Sequence, residues 1–246
     1  MPMTSSITDI NIDAVNKEII RTLLKLPENQ FCGECGMIEP QWASVNLGIF
    51  ICLSCAGLHR RLGTHISRVK SCELDNWLKT EIEKFKDTNN VKAKEYWEAL
   101  LPTYFIRPTY ADSNGLKEAW IRCKYEDKAF VPEEIPGAKR IDFSKREGYV
   151  YKKGIIVKNW KRRFMKFIGD DRLEYFKNDQ EKTPCGSISL RDCGQIDSIQ
   201  ELEGRTFCFI ISTPKRRFLI SCDSYQQLLV WIINTRLSSK KNNSQL

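Results

Sequence analysis

The stretch FCGECGMIEPQWASVNLGIFICLSC, residues 31–55, holds two Cys-x-x-Cys pairs set sixteen residues apart. Each pair can form a knuckle that presents two thiolates to one ion. Four thiolates suit tetrahedral zinc and leave no open position for a water, so such a site is structural. Cys32, Cys35, Cys52 and Cys55 are therefore read as the ligands of one structural zinc. A redox role for either pair fits less well, because two pairs at this spacing match a metal site. Within the stretch, GIFICL reads as a short strand. Directly after it come His59, Arg60, Arg61 and His65, which include both histidines of the chain. The ligand set is complete without the histidines, and His65 is expected to orient its segment through hydrogen bonds. Zinc alone leaves the function open.

Working outward, Ile12, Val15, Ile19, Leu23 and Leu26 recur at helical spacing until Pro27 ends the pattern. After the cysteines, Trp77, Ile82 and Phe85 suit one helix and residues 93–101 a second, stopped by Pro102. A third follows over residues 116–130. Residues 131–146, VPEEIPGAKRIDFSKR, carry two prolines, a glycine and many charges, and mark the best domain boundary. Beyond it GYVY, RRFMKFI, RLEYF, GSISL, QIDSI, TFCFIIS and RRFLIS are seven β-rich runs punctuated by Gly, Asp, Asn or Pro. They lead into SYQQLLVWIINTRL, whose Leu228, Trp231, Ile232 and Leu237 make an amphipathic helix. Seven strands and a closing helix predict a small barrel capped by that helix. The final SSKKNNSQL reads as a disordered tail.

The 246 residues carry a formal charge of +8, unevenly placed. Residues 1–140 hold 19 basic and 19 acidic residues, so the whole excess lies in 141–246, with 20 basic against 12 acidic. A neutral zinc-bearing half argues against nucleic-acid binding through zinc. The basic half is expected to meet an anionic surface. No apolar run reaches the roughly 20 residues of a membrane span, and the N-terminus has no secretory pattern, so a cytoplasmic location is expected. In that setting the six remaining cysteines read as reduced, semi-buried thiols.

The stretch from Phe31 through FICLSCAGLHRRLGTHISRVKSCELDNW resembles the zinc module of Arf GTPase-activating proteins (ArfGAPs). The resemblance rests on the four cysteines with Pro40, Trp42, Ser44 and Gly48, then Gly57, His59, Arg60, Leu62, Gly63, His65, Ser67, Val69, Ser71 and Asp75. It continues into WEALLP and WIRCKYEDKAFV. Lys70 departs from the arginine usual in the family. Residues 147–238 resemble a pleckstrin homology (PH) domain through EGYVYKKG, WKRRFMKF, RLEYF and the helix bearing Trp231. The order is that of Arf GAPs with paired PH domains, shortened to one. The resemblance thus implies a multidomain α+β chain: an ArfGAP domain over 10–135 in which helices surround a small mixed zinc module, a linker over 136–146, an all-β seven-stranded PH barrel with a C-terminal helix over 147–238, and the tail over 239–246.

What the family does is implied here as an expectation. Such a chain would be no enzyme of its own but a monomeric activator of GTP hydrolysis by a GTP-bound Arf-family GTPase. Arg60 would be the arginine supplied in trans. On other GTPases such a finger accelerates hydrolysis by about 10³–10⁵, which is roughly 4–7 kcal/mol of barrier. Arg61 falls at a variable position and is expected at the surface. Trp42, Ile49 and Lys70 would contact the GTPase, with packing on the zinc core the alternative for Trp42. The PH domain would bring the protein peripherally to phosphoinositide-containing membranes through Lys152, Lys161, Arg163 and Tyr175. Ile156 and Cys185 stand where tight binders often carry basic residues. Ile155, Ile156 and Val157 form either an apolar loop tip that dips into lipid or an extension of the first two strands. A membrane adaptor that binds Arf without stimulating hydrolysis is the alternative function.

Overall fold

The computed structural model describes residues 7–154, 157–191 and 193–243. The chain divides into two compact units. One takes residues up to 101 together with 108–111 and 124–138; the other takes 102–107, 112–123 and 139 onward.

The first unit opens with helix α1, Ile7–Leu24. Its predicted apolar stripe is turned: Ile12 and Val15 are exposed, while Asn16 and Ile20 are buried with Ile19, Leu23 and Leu24 alongside. The rotation follows from Asn16, whose Nδ2 donates to the Trp77 carbonyl at 2.7 Å, because 16, 20 and 23 share a face as well as 12, 15 and 19 do. Three strands of three residues each, β1 (Trp42–Ser44), β2 (Ile49–Ile51) and β3 (Val69–Ser71), form an antiparallel sheet in the order β2-β1-β3. Helix α2, Leu53–Arg60, leaves β2 directly. Helices α3 (Lys79–Asp87) and α4 (Asn90–Trp97) follow, each with a capped start: Glu81 accepts the Leu78 N–H and Asn89 accepts the Lys92 N–H. Ile20, Ala43, Val45, Phe50, Cys72, Trp77, Ile82 and Phe85 make the core. Asn90 stitches it to the first knuckle, accepting the Phe50 N–H at 2.8 Å and donating to the Phe31 and Phe50 carbonyls at 2.7 and 2.9 Å.

The second unit is a seven-stranded antiparallel sheet in the order β7-β6-β5-β4-β10-β9-β8. The strands are β4 (Glu147–Lys153), β5 (Trp160–Ile168), β6 (Arg172–Phe176), β7 (Gly186–Ser189), β8 (Ile196–Leu202), β9 (Arg205–Ser212) and β10 (Arg217–Ser221). Each of the seven β-rich runs becomes one strand. Helix α6, Tyr225–Asn243, buries Leu228, Leu229, Trp231, Ile232 and Ile233, and Trp231 stacks on Phe167 at 5.5 Å. The disordered tail predicted from 239 is corrected as far as Asn243: the helix continues, Ser238 and Ser239 are buried, and Lys241 pairs with Asp170 at 3.0 Å. The polar composition of SSKKNN hides helix that packing supports.

Helix α5, Asn114–Ile121, also belongs to this unit. Ser113 caps it and donates its hydroxyl to Asp197 at 2.7 Å. Gly115 lies so close to β8 that an added Cβ would stand 2.7 Å from Ser198 Oγ. Gln200 donates to Glu118 at 2.7 Å, and Arg236 of α6 reaches Asp112 at 2.5 Å.

Candidate metal centre and basic strand cluster

Cys32, Cys35, Cys52 and Cys55 are all buried, and their sulfurs lie within 4.8 Å of one another. Cys35 Sγ and Cys52 Sγ are 3.7 Å apart. Zn–S bonds of about 2.3 Å in a tetrahedron require sulfurs about 3.8 Å apart, so the donor set fits one zinc ion. The backbone shapes both knuckles. Cys32 N–H donates to Met37 O at 2.7 Å, Gly36 adopts φ +71°, and Gly33 N–H donates to Phe50 O at 2.9 Å, which brings the first knuckle to β2. Cys52 stands at the N-cap of α2. Hydrogen bonding among the crowded sulfurs splits the four thiols: it pushes Cys32 up, through Cys35 first, and Cys55 up, through Cys32 first, and holds Cys35 and Cys52 down, each through Cys32 first. Neighbouring thiolates oppose each other's ionisation, and a divalent cation removes that penalty.

Helix α2 carries its two functional directions by spacing. Cys55 and His59, four residues apart, face inward and are fully buried, while Arg60 ends the helix exposed. The Arg60 guanidinium lies over the Trp42 ring, 4.5 Å from its centroid. Trp42 is anchored in the middle strand β1, opposite Ile51 on one side and Ser71 on the other.

The remaining residues of this segment divide unevenly. His65, expected to orient the segment, is exposed, and the buried hydrogen-bonding imidazole is that of His59. Its Nδ1 is 2.9 Å from Ser67 Oγ, which is 2.8 Å from Ser44 Oγ. Its Nε2 faces Glu34 Oε1 at 3.6 Å. Glu34, between the first two ligands, accepts from Tyr125 OH at 2.5 Å and pairs with Lys124 at 3.3 Å, while Lys124 pairs with Glu98 at 2.8 Å. Burial alone would raise the Glu34 carboxyl. Lys124, His59 and Tyr125 outweigh it and hold the group well below the usual carboxylate range. Nothing in the sequence pattern pointed to this network, because a buried charge leaves no periodic trace.

Two of the residues expected at a GTPase contact, Ile49 and Lys70, are not freely exposed. Ile49 is 2% exposed and belongs to the core, since β2 is buried along its whole length. Lys70 is half-buried, and its ammonium donates to Glu81 at 2.6 Å and to Asn76 O at 2.9 Å, which directs the charge inward.

In the second unit Lys152 pairs with Lys161 across β4 and β5, Val150 with Arg163, and Met165 with Tyr175 across β5 and β6. Paired residues share a face and side chains alternate, so Lys152, Lys161, Arg163 and Tyr175 all lie on the face that buries Val150 and Met165. The four residues singled out for anion binding are thus neighbours at one end of the core face. Lys152 is 9% exposed, with its ammonium 4.5 Å from the Tyr175 ring centroid and 5.6 Å from that of Phe218. Burial, then Arg216 and then Arg163, hold its pKa below the ordinary lysine value.

Arg216 is the member that the sequence reading missed. It lies 4.1 Å from the Phe218 ring, at the end of a turn in which Thr213 Oγ1 donates to the Arg216 carbonyl at 2.9 Å. Beside it is a groove of about 630 Å³, lined by Ser187, Ser189, Thr213, Lys215, Arg216 and Phe218. A basic residue in the KRRF run that leads into β10 is indistinguishable in sequence from any surface cation. Cys185 is exposed and donates its N–H to Tyr175 O at 2.8 Å. Of the proposed apolar tip, Ile155 and Ile156 lie outside the described residues; Val157 is 61% exposed. Among the described residues no helix is long and apolar enough to cross a membrane.

Comparison with known proteins finds two family models in the chain. Residues 17–134 match the model described as a putative GTPase-activating protein for Arf, and residues 144–237 match the PH domain. The chain is 33% identical over 226 residues to human (Homo sapiens) Arf-GAP with dual PH domain-containing protein 2, covering 88% of this chain and 57% of the relative. It is 45% identical over 127 residues to a probable ADP-ribosylation factor GTPase-activating protein of Arabidopsis thaliana, covering 52% of this chain and 50% of that one. It is 46% identical over 112 residues to human stromal membrane-associated protein 1, covering 46% of this chain and 23% of that one. The chain thus spans about half the length, or less, of these relatives.

Proposed function

The chain joins an ArfGAP domain to a PH domain, and from that premise we propose that it stimulates GTP hydrolysis by a GTP-bound Arf-family GTPase, with Arg60 supplied in trans and the PH domain seated on a phosphoinositide-containing membrane. The observation that carries the reading is the placement of Arg60. It is exposed at the end of a helix whose start is a zinc ligand, and its guanidinium already rests on an aromatic ring. A charge that stabilises a leaving γ-phosphoryl group contributes most when its direction is fixed before the reaction. Zinc, held by the four cysteines, would supply no reacting ligand and would brace the start of α2. Arg60 would then donate to oxygens that gain charge as the phosphoryl group loosens, while the GTPase itself holds nucleotide, metal ion and attacking water.

At the membrane, Lys152, Lys161 and Arg163 would meet the phosphates of an inositol headgroup, with the Tyr175 hydroxyl as a further donor and Arg216 extending the cluster. Lys152 is already desolvated, so an arriving anion gains its charge at little further cost in lost hydration. The charge division along the chain supports the same arrangement, since the basic excess lies entirely in the half that would face the anionic surface.

The test is single-turnover hydrolysis by an Arf protein loaded with GTP on phosphoinositide vesicles. Wild type is expected to accelerate it, and Arg60→Lys to lose about 10³-fold or more of that acceleration while keeping its zinc. A wild-type protein that binds the vesicles and the GTPase but leaves hydrolysis at its intrinsic rate would make the chain an adaptor.

A further inference from the structure

The two ends of strand β1 reach Arg60 by different routes. Trp42 touches it directly, through the stacking of the guanidinium on the indole. Ser44, two residues along the same strand, reaches it through a buried chain: Ser44 Oγ to Ser67 Oγ at 2.8 Å, and Ser67 Oγ to His59 Nδ1 at 2.9 Å. His59 is the residue before Arg60. The circuit β1–Ser67–His59–Arg60–β1 is therefore closed, and every member other than Trp42 and Arg60 is buried.

We propose that His59, held by Ser67 and Ser44, is a positioning residue for Arg60. The inference rests on the reading that Arg60 is the group offered to the GTPase, and it adds what sets the direction of that group. The last carbonyls of α2, those of Leu58, His59 and Arg60, accept the N–H groups of Arg61, Leu62 and Gly63 at 3.1, 3.1 and 3.2 Å, which closes the helix end but leaves the direction of its side chains to their own contacts. Here the last buried side chain of α2 is the imidazole, fully enclosed, with its ring 5.3 Å from Tyr125. Fixing that ring fixes the backbone from which Arg60 departs. The opposite nitrogen, Nε2, is buried and has no hydrogen-bond partner; it faces Glu34 at 3.6 Å, beyond hydrogen-bond length. Hydrogen bonds of this kind are often long in the free protein and tighten in the reacting complex.

The experiment compares Ser67→Ala with wild type in single-turnover hydrolysis by GTP-loaded Arf on vesicles, over a range of activator concentrations, alone and combined with Arg60→Lys. Ser67→Ala removes the partner of Nδ1 and leaves the zinc ligands and Arg60 in place. The maximal rate is expected to fall about 10–100-fold, with the half-saturating concentration and zinc content unchanged. In the Arg60→Lys background Ser67→Ala should cost nothing further, since the group it positions is gone. Ser44→Ala cuts the same bridge at its far end, away from the ring, and should act in the same direction if Ser67→Ala fails to fold. A full maximal rate in either folded variant, or an equal loss with and without Arg60, overturns the proposal. An Arg60→Lys variant as active as wild type overturns the underlying reading instead, so the two failures are distinguishable.

Discussion

At the scale of single residues, the two units place charge in opposite ways. Glu34 is buried and stays ionised because Lys124, His59 and Tyr125 surround it. Lys152 is buried without a carboxylate partner among the interactions described, and its ammonium stands instead against two aromatic rings and near Arg216 and Arg163. The sign of the consequence is definite. Burial and the two guanidinium groups lower the Lys152 pKa, so Lys152 loses its proton below the ordinary lysine value of about 10.4. The folded state then binds fewer protons than the unfolded chain between the two values, and this group's contribution to stability rises with pH there. Anion binding runs the other way. A phosphate favours the charged ammonium, so affinity should weaken as pH climbs through the depressed value. Sedimentation with phosphoinositide vesicles across that range should show binding to wild type declining before binding to Lys152→Arg, because a guanidinium keeps its charge. Equal pH profiles for the two proteins would remove Lys152 from the anion site.

At the scale of elements, the strands of the first unit are only three residues long, and the connections between them carry the geometry. Gly48, in the turn from β1 to β2, sits at φ +71°, and a Cβ there would stand 2.6 Å from Thr88 Cγ2. Gly48→Ala combines backbone strain with a clash and should cost about 1–3 kcal/mol. Urea unfolding of the zinc-loaded protein is the measurement, and an unchanged midpoint would mean that the turn relaxes freely. Elements of this kind also show how much the sequence conveys. All seven strands of the sheet were legible, because alternating β-branched and aromatic runs between turn residues leave a period of two. The zinc cluster was legible from spacing alone. The face of α1 was not, since Asn16 is buried for its bond to Trp77 O and hydropathy ranks it as outward. The end of α6 was not either, because Ser238 and Ser239 are polar and buried. Among candidate site residues, Lys152, Lys161, Arg163 and Tyr175 came from the PH resemblance, and the strand register then places them on one face. The Ser44–Ser67–His59 bridge and Arg216 depend on contacts between segments far apart in sequence, which no local pattern encodes.

At the scale of the whole molecule, the division into compact units departs from the division into family matches. The ArfGAP match runs through residue 134, yet residues 102–107 and 112–123 belong to the unit built on the seven-stranded sheet. Helix α5 shows why. Its residues from Gly115 to Ile121 are buried, Ser113 and Glu118 bond to Asp197 and Gln200, and Gly115 admits β8 at a distance where a side chain would collide. A metal at the four cysteines would brace the first unit, whose strands are only three residues long. The sheet unit carries its own core of strands and α6. Removing zinc with a strong chelator should therefore unfold one unit and spare the other. Hydrogen exchange would resolve this by segment: Leu53–Arg60 and Asn90–Trp97 lose protection on chelation, while Asn114–Ile121 keeps it together with Ile196–Leu202. The separation is informative because Asn114–Ile121 lies inside the ArfGAP match in sequence and inside the sheet unit in space. Protection that vanishes from Asn114–Ile121 in step with Leu53–Arg60 would show that the sequence assignment governs folding. Protection retained there would show that packing against β8 does, and that an ArfGAP fragment cut at residue 138 loses the surface on which α5 is built.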